Sequence, residues 1–147
     1  MEEIEYVMAV PADEYDIKLL LSQSMLPFDD ISSHLPNFVI AKSEGKVIGV
    51  IGLEYCGDFS LGRSLAVAPA FRRRGIAKEL YRQILVQAQL KGIKELYLLT
   101  TTAADFFTGL GFQTTIRNST PEAVRATKEF LNGCPFTAVC MVKSLKN

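Results

Sequence analysis

Residues 65–77 of this chain read LAVAPAFRRRGIA and join an apolar strand to the start of a helix. Beyond this loop, apolar side chains recur every four positions, at Ile76, Leu80, Ile84 and Ala88. That spacing predicts a helix with one buried face. Gly92 follows the last periodic residue, and glycine readily adopts the positive φ that ends many helices. The segment 65–90 is therefore predicted to form a strand, a loop and a helix, in that order.

The loop carries an Arg-x-x-Gly-x-Ala pattern that suits an anion. The first amides of a helix have no internal partner and lie at the positive end of the helix dipole. Gly75 lets a bulky group approach the backbone, and Ala77 keeps the next turn small. Permanent positive charge comes from Arg72, Arg73 and Arg74. The pattern predicts a pyrophosphate cradle; the alternative is a solvated basic turn, because short Gly/Arg patterns recur by chance.

The length and composition are those of one folded domain that covers residues 1–147. Apolar residues make up 48% of the chain and charged residues 22%, which are globular values. No apolar run reaches the roughly 18 residues of a membrane span. The acidic start at Glu2 and Glu3 is unlike a signal peptide. We therefore expect a cytoplasmic protein with no membrane partner.

Three cysteines, Cys56, Cys134 and Cys140, follow no metal-ligand spacing. We expect no metal site and a reducing compartment rather than a disulfide framework. A cysteine nucleophile is the alternative for Cys134 or Cys140, but the single histidine lies far from both in the sequence. Burial as small apolar residues is the expected role of all three.

The net charge of zero hides a division along the chain. Residues 1–60 hold 11 Asp or Glu and 3 Lys, whereas residues 61–147 hold 5 acids and 13 Lys or Arg. A basic half that contains the predicted cradle suits a polyanionic small molecule, which such a field would steer. Nucleic acid is not expected as a partner, because no basic stripe is interleaved with aromatic residues.

The remaining pattern alternates strands and helices. A first strand has Ile4, Tyr6 and Met8 on its buried face, and Thr120 and Pro121 are expected at the N-cap and first position of a helix. Strands are predicted at 38–42, 46–55, 59–67, 95–99, 112–116 and 137–142, and helices from Pro11, at 30–35, at 103–110 and at 120–130. The class is therefore α/β or α+β, with a mixed sheet of about seven strands flanked by helices.

Two motifs carry a resemblance to a known family. Leu65-Ala66-Val67-Ala68-Pro69 with Arg72-x-x-Gly75-x-Ala77 resembles the acetyl-coenzyme A motif of the GNAT N-acetyltransferase superfamily. The segment from Ala103 to Phe112 resembles that superfamily's second signature, a helix that ends in Gly-Phe. The resemblance implies the GNAT fold, with a mostly antiparallel sheet whose strands splay at the cofactor site, and acetyl-CoA as the cosubstrate.

The resemblance also implies roles for individual residues. The strand ending at Val67 would diverge from the strand ending near Leu99, and the backbone of Leu65 and Val67 would bind the pantetheine amides between them. The Val67 N–H would donate to the thioester carbonyl as negative charge develops there. The implied cofactor-binding residues are Leu65, Ala66, Val67, Arg72, Arg73, Arg74, Gly75, Ile76, Ala77, Thr100 and Phe107.

Other residues are candidates for catalysis and for binding the acceptor. Glu54, near the end of a strand, is the first candidate for a base that removes the acceptor proton through water; the alternative is an exposed edge carboxylate. His34 is a second candidate at the acceptor site, against an incidental loop histidine. Many GNAT enzymes carry a tyrosine acid where this chain has Phe107. Thr100 has the alternative role of strand-end hydrogen bonding.

A narrower resemblance concerns the acceptor. The segment 98–101 before the Phe106-Phe107 helix is similar to N-acetylglutamate synthases, and residues 63–67, 119–121 and 134–135 are similar to arsenic-resistance N-acetyltransferases. Both imply a small amino-acid-like amine, whose carboxylate Arg63 would bind unless Arg63 faces the surface. Acetylation of protein N-termini or lysines, and a non-catalytic module that binds acetyl-CoA, are the alternatives. A homodimer is compatible with the sequence.

Overall fold

A computed structural model describes residues 3–133 and 137–145 of the chain. The strands in these residues are β1 (Ile4–Met8), β2 (Phe38–Ser43), β3 (Lys46–Cys56), β4 (Phe59–Val67), β5 (Glu95–Thr100), β6 (Gln113–Thr115) and β7 (Val139–Ser144). The α-helices are α1 (Glu14–Gln23), α2 (Ile31–His34), α3 (Ile76–Leu90), α4 (Ala104–Gly109) and α5 (Glu122–Arg125). None of these helices is long and apolar enough to cross a membrane.

The strands form one mixed sheet in the order β1-β2-β3-β4-β5-β7-β6. Pairing is antiparallel between β1 and β2, β2 and β3, β5 and β7, and β6 and β7. β4 and β5 are parallel, because the chain between them passes through α3. A mostly antiparallel, open sheet with helices confirms the predicted fold class.

The parallel ladder between β4 and β5 is short. It runs from the pair Phe59–Glu95 to the pair Gly62–Leu98, although β4 continues to Val67 and β5 to Thr100. Directly after this ladder, Ser64 has a positive φ of 62°. A left-handed residue within a strand bends the strand and increases its twist. The ladder therefore ends before either strand does, and the splaying of these strands stays a prediction.

Two compact units divide the chain. Unit 1 comprises Met1–Leu53 and Ser64–Gln87, and unit 2 comprises Glu54–Arg63 and Ala88–Asn147. The core of unit 1 includes Ile17 and Leu21 of α1, Ile31 of α2, Phe38 of β2 and Val50 of β3. The core of unit 2 includes Cys56, Leu61, Tyr97 and Val124, with Phe59, Phe130 and Val142 packed against them.

In unit 1, helix α3 lies directly on strand β3 because Gly49 has no side chain. A Cβ atom added at Gly49 would lie 3.1 Å from Leu80 Cδ1 and 3.3 Å from Ile76 Cγ2. Ile76 and Leu80 are both buried residues of α3. The contact fixes the first two turns of α3 against the sheet, and it therefore fixes the position of the helix amino end. Glycine within a strand often marks such a close approach.

Gly52→Ala is expected to destabilise unit 1. The added Cβ would overlap the ring of Phe38, which is fully buried. Overpacking of this kind costs about 1–3 kcal/mol in the free energy of unfolding, which urea denaturation would measure. Gly109→Ala is the control, because a Cβ there meets nothing within 4 Å. Equal stability of Gly52→Ala and the unmodified chain would contradict this packing.

Two local predictions are wrong. Met8 is 42% exposed, whereas Val7 packs against the core of unit 1. Because β1 is an edge strand that is partly covered on both faces, the alternation of its apolar residues does not predict which side chains are buried. The predicted helix 120–130 is interrupted after Arg125 and resumes as a π-helical segment, Glu129–Gly133. Its N-cap is Pro121, and the Thr120 hydroxyl instead donates to Arg117 O at 2.7 Å.

Candidate active site

The predicted anion cradle lies wholly in unit 1. β4 ends at Val67, a 3-10 turn follows at Pro69–Phe71, and α3 begins at Ile76. Arg73 and Gly75 have positive φ values of 64° and 78°, which turn the backbone into the helix. A Cβ atom at Gly75 would meet nothing within 4 Å. The space beside Gly75, directly before the first turn of the helix, is therefore open, and the amides of a helix start are suited to bind anions.

The three arginines of the loop are exposed, and two of them make contacts with other residues of the loop or of the strand before it. Arg72 Nε donates a hydrogen bond to Val67 O at 3.1 Å. The Arg74 guanidinium lies over the Phe71 ring, 5.0 Å from the ring centroid, which is within the range of a cation–π contact. The positive charge is thus held beside the helix start. These features fit the diphosphate of acetyl-CoA, since they combine helix amides, open space and fixed cations.

Around the cradle, the residues that the family resemblance assigns to cofactor binding differ in burial. Ile76 and Ala66 are buried and serve the core, whereas Leu65, Val67 and Ala77 are half-buried. The carbonyl of Val67 already accepts the Arg72 hydrogen bond, which leaves one lone pair for another donor. Their predicted contacts with pantetheine stay predictions.

In unit 2, Arg63 is enclosed between two carboxylates. Its side chain is 0% exposed. Arg63 Nη1 lies 3.3 Å from Glu54 Oε1, and Arg63 Nη2 lies 3.2 Å from Glu129 Oε1. The exposed fractions of the Glu54 and Glu129 side chains are 12% and 7%. A buried guanidinium needs such partners, because an unpaired buried charge is strongly unfavourable.

This cluster changes how two predictions are read. Glu54 is not an exposed edge carboxylate but the least buried member of a three-residue ion cluster, and its role as a base stays a prediction. The alternative prediction that Arg63 faces the surface is wrong. Binding of an acceptor carboxylate by Arg63 stays a prediction, although any such carboxylate would have to share the guanidinium with Glu54 and Glu129.

Glu129 was missed by sequence reasoning. Its helical context gives no sign that a carboxylate faces inward, since glutamate is usual on exposed helix surfaces. One signal in the sequence is the small number of acidic residues in this half of the chain. Residues 61–147 contain five of them, so a buried arginine there has few candidate partners.

The other predicted residues are engaged locally. His34, at the end of α2, has its Nε2 3.7 Å from Asp30 Oδ2, one turn earlier. Thr100 Oγ1 accepts a hydrogen bond from Ala103 N at 2.9 Å, which is the strand-end role given as its alternative. Phe107 is buried and packs edge-to-face with Phe106 and Phe112, at centroid distances of 5.1 and 5.4 Å.

The cysteines in the described part of the chain are buried and free, namely Cys56 and Cys140; Cys134 lies outside it, as does the segment 134–135. Burial raises the pKa of the Cys140 thiol to about 11. Burial, followed by the nearby Glu54 carboxylate, raises the pKa of Cys56 to about 11. Both thiols are therefore protonated at neutral pH, which disfavours the nucleophile alternative for Cys140.

We expect the stability of the chain to fall as the pH rises above about 9. Burial raises the pKa of Tyr97 to about 12, with a further contribution from Glu95. The folded chain thus holds protons on Tyr97, Cys56 and Cys140 that the unfolded chain releases at lower pH, so each unit of rising pH favours unfolding. Denaturant titrations under reducing conditions at pH 7, 9 and 10.5 would measure the decline. A flat profile would contradict these raised pKa values.

The fold and the loop together define a class: a mixed sheet in which a strand leads through a basic, exposed loop into a helix that begins after a left-handed glycine. The family model for the acetyltransferase (GNAT) domain matches residues 34–114, which is more than half of the chain. The chain therefore belongs to the GNAT acetyltransferase family, as the motifs in its sequence predicted.

Curated relatives point in the same direction. An amino-acid acetyltransferase of Pseudomonas fluorescens is 30% identical over 105 residues, which cover 70% of this chain and 23% of that protein. An amino-acid acetyltransferase of Neisseria meningitidis is 28% identical over 127 residues, which cover 84% and 28%. The chain thus spans about a quarter of the length of these relatives.

Solved structures share the fold. N-acetylglutamate synthase from Neisseria gonorrhoeae, complexed with coenzyme A and N-acetyl-glutamate, superposes with a TM-score of 0.85 at 23% identity, covering 99% of this chain and 36% of that one. Rv2747 from Mycobacterium tuberculosis, in complex with CoA, gives a TM-score of 0.83 at 21% identity and covers 97% and 99%. At these identities the likeness shows the GNAT fold alone.

Proposed function

We propose that this chain transfers the acetyl group of acetyl-CoA to the amine of a small amino-acid-like acceptor, by direct attack in a ternary complex. The observation that carries the proposal is the open helix start of α3, with a left-handed Gly75 and nothing within 4 Å of its Cβ position. Such a site suits a diphosphate, and GNAT-fold proteins such as the N-acetylglutamate synthase described above were solved with coenzyme A.

Acetyl-CoA supplies an activated thioester when it is bound, and the residues of this chain would hold it in place. The amides of Gly75, Ile76 and Ala77 would bind the diphosphate, and the charge of Arg72 and Arg74 would support them. The Val67 N–H is the proposed donor to the thioester carbonyl. Because the cosubstrate already carries the leaving group, positioning supplies much of the acceleration.

The acceptor class is proposed from the relatives. Two of them carry the name amino-acid acetyltransferase, and a structural neighbour contains N-acetyl-glutamate. A free amine on a small carboxylic acid is the chemistry that these names share. L-glutamate is therefore the first acceptor to test.

Glu54 is the proposed base. An amine with an ordinary pKa is protonated at neutral pH, so a proton must leave it before attack. The Glu54 side chain is 12% exposed and paired with Arg63, and it would accept that proton through water. His34 stays the alternative. Because Phe107 has no hydroxyl group, the leaving thiolate would take its proton from water.

Two other readings remain open to experiment. Acetylation of protein N-termini or lysines would use the same cradle with a larger acceptor. A non-catalytic acetyl-CoA sensor is favoured by one observation: the position of the usual tyrosine acid is held by Phe107, which is buried between Phe106 and Phe112.

The test is release of coenzyme A thiol, measured with L-glutamate, the other free amino acids and an unblocked peptide, together with calorimetry of acetyl-CoA binding. Turnover with free amino acids supports the proposal. Turnover with the peptide alone would replace it by protein acetylation. Binding of acetyl-CoA without turnover of any acceptor would favour the sensor, and the lack of binding would overturn all three.

We further propose that residues 1–147 act as a single N-acetyltransferase domain. β3 and β4 each contribute residues to both units, which supports a shared unfolding transition; two separate calorimetric transitions would contradict it. Location in the cytoplasm stays a prediction that rests on the cysteine usage.

A further inference from the structure

We propose that Glu129 is a positioning residue that fixes the Glu54 carboxylate through Arg63. The three side chains form one continuous arrangement in unit 2: Glu54 Oε1 lies 3.3 Å from Arg63 Nη1, and Glu129 Oε1 lies 3.2 Å from Arg63 Nη2. Each carboxylate engages a different terminal nitrogen of the same guanidinium. The role of Glu129 rests on the proposed function, because it matters for catalysis only if Glu54 acts there.

The planar shape of the guanidinium makes this link directional. Its terminal nitrogens lie at fixed positions in one plane, so a carboxylate that holds Nη2 also fixes where Nη1 points. Since the Arg63 side chain is 0% exposed, water does not offer it alternative partners. Glu129 therefore restricts the orientation of Arg63, and Arg63 in turn restricts Glu54.

The residues on either side of Glu129 are tied to the core of unit 2. It is the first residue of the π-helical segment Glu129–Gly133. The Thr127 hydroxyl donates to Val124 O at 2.8 Å and accepts from Phe130 N at 3.4 Å. Phe130 and Val124 belong to the core of unit 2. π-helical turns are frequent at functional sites, and here the turn delivers a buried carboxylate to Arg63.

This arrangement divides the two glutamates by role. Glu54 is the more exposed of the pair and is the one proposed to accept the acceptor proton. Glu129 is the more deeply buried and touches Arg63, not the reacting atoms. Loss of the Glu129 charge should therefore lower kcat through a misplaced Glu54, while the binding of acetyl-CoA and of the acceptor stays the same.

The first experiment measures kcat and KM with acetyl-CoA and L-glutamate, or the free amino acid turned over fastest, for Glu54→Gln, Glu129→Gln and the double variant. We expect Glu129→Gln to lower kcat about tenfold with both KM values unchanged, and to add nothing in the Glu54→Gln background. Glu122→Gln is the matched control, an exposed carboxylate in the same segment, and should match the unmodified chain.

The second experiment does not need activity. Either single variant leaves one of the carboxylates of Glu54 and Glu129 beside Arg63, whereas the double variant removes the negative charge of both from a buried cation. The loss of Tm in the double variant should therefore exceed the sum of the single losses. Pairing Glu54→Gln with Glu122→Gln should give a simple sum. If Glu129→Gln does not fold, Glu129→Asp serves in its place, since it keeps the charge but withdraws it from Arg63.

Several outcomes would overturn the proposal. Additive Tm losses for Glu54 and Glu129 would show that Arg63 does not couple them. If Glu129→Gln raised the KM for the amino acid at constant kcat, the ion cluster would bind the acceptor and would not position the base. Failure of the proposed base is distinguishable, because Glu54→Gln would then leave turnover intact while Glu129→Gln still showed the coupled Tm loss.

Discussion

Gly75→Glu is expected to abolish measurable acetyl-CoA binding while the chain stays folded. The new side chain would occupy the open space beside the first turn of α3, where a Cβ now meets nothing within 4 Å. It would also place a carboxylate where the diphosphate is proposed to lie. Bulk and like charge act in the same direction. We expect affinity to fall by about a hundredfold or more, or about 2.8 kcal/mol, as measured by isothermal titration calorimetry.

The control for this experiment is Gly45→Glu. Gly45 has the same φ of 78°, lies in the same unit and also has nothing within 4 Å of its Cβ position. Both substitutions pay a similar cost for a side chain at positive φ, about 1–2 kcal/mol, so their unfolding curves should agree. Only Gly75→Glu should lose the ligand. Unchanged binding by Gly75→Glu would show that the diphosphate does not bind beside the start of α3.

Glu54→Gln is expected to lower turnover by about a hundredfold or more near neutral pH, the range that general-base catalysis contributes. The amide keeps an oxygen for Arg63 but cannot accept the acceptor proton. The loss should be greatest at low pH, where few acceptor molecules are already deprotonated. It should shrink as the pH approaches the pKa of the acceptor amine, because the free amine then needs no base.

A pH–rate profile with thiol release as the readout would measure this effect. Glu44→Gln is the control, since Glu44 is an exposed carboxylate in the turn between β2 and β3. A Glu54→Gln profile parallel to that of the unmodified chain would show that Glu54 takes no part in proton removal. In that case His34→Gln would be the next variant to measure.

Much of the fold was predictable because it depends on local signals. The four-residue period of Ile76 to Ala88 predicted α3, and Gly92 and Gly111 have the positive φ values, 72° and 98°, expected after α3 and α4. The turn at Glu44 and Gly45 also has positive φ at both residues, as a tight hairpin requires. The strand, loop and helix start of the predicted cradle were predictable for the same reason, since their residues are neighbours in the sequence; anion binding there stays a prediction.

The ion cluster was not predictable in the same way. Arg63 and Glu129 are distant in sequence, and their pairing depends on how the segment after Thr120 folds. The interruption after Arg125 has no clear signal, because Ala126, Thr127 and Lys128 suit a continuous helix. In a buried ion pair each charge is compensated by the other, so both residues can be buried. A hydrophobicity pattern does not reveal this, because both residues are read as polar and therefore as exposed.

Ser64 has a consequence for anyone who engineers this domain by comparison with its relatives. The buried residues of β4 are Ser60, Leu61, Arg63, Ser64 and Ala66, so burial does not alternate along this strand. The positive φ of Ser64 interrupts the extended backbone at the same place. An alignment that assigns inward and outward positions by counting alternate residues through β4 would therefore be misleading. Mutant libraries for acceptor choice should therefore treat residues 59–63 and 64–67 as two separately aligned blocks.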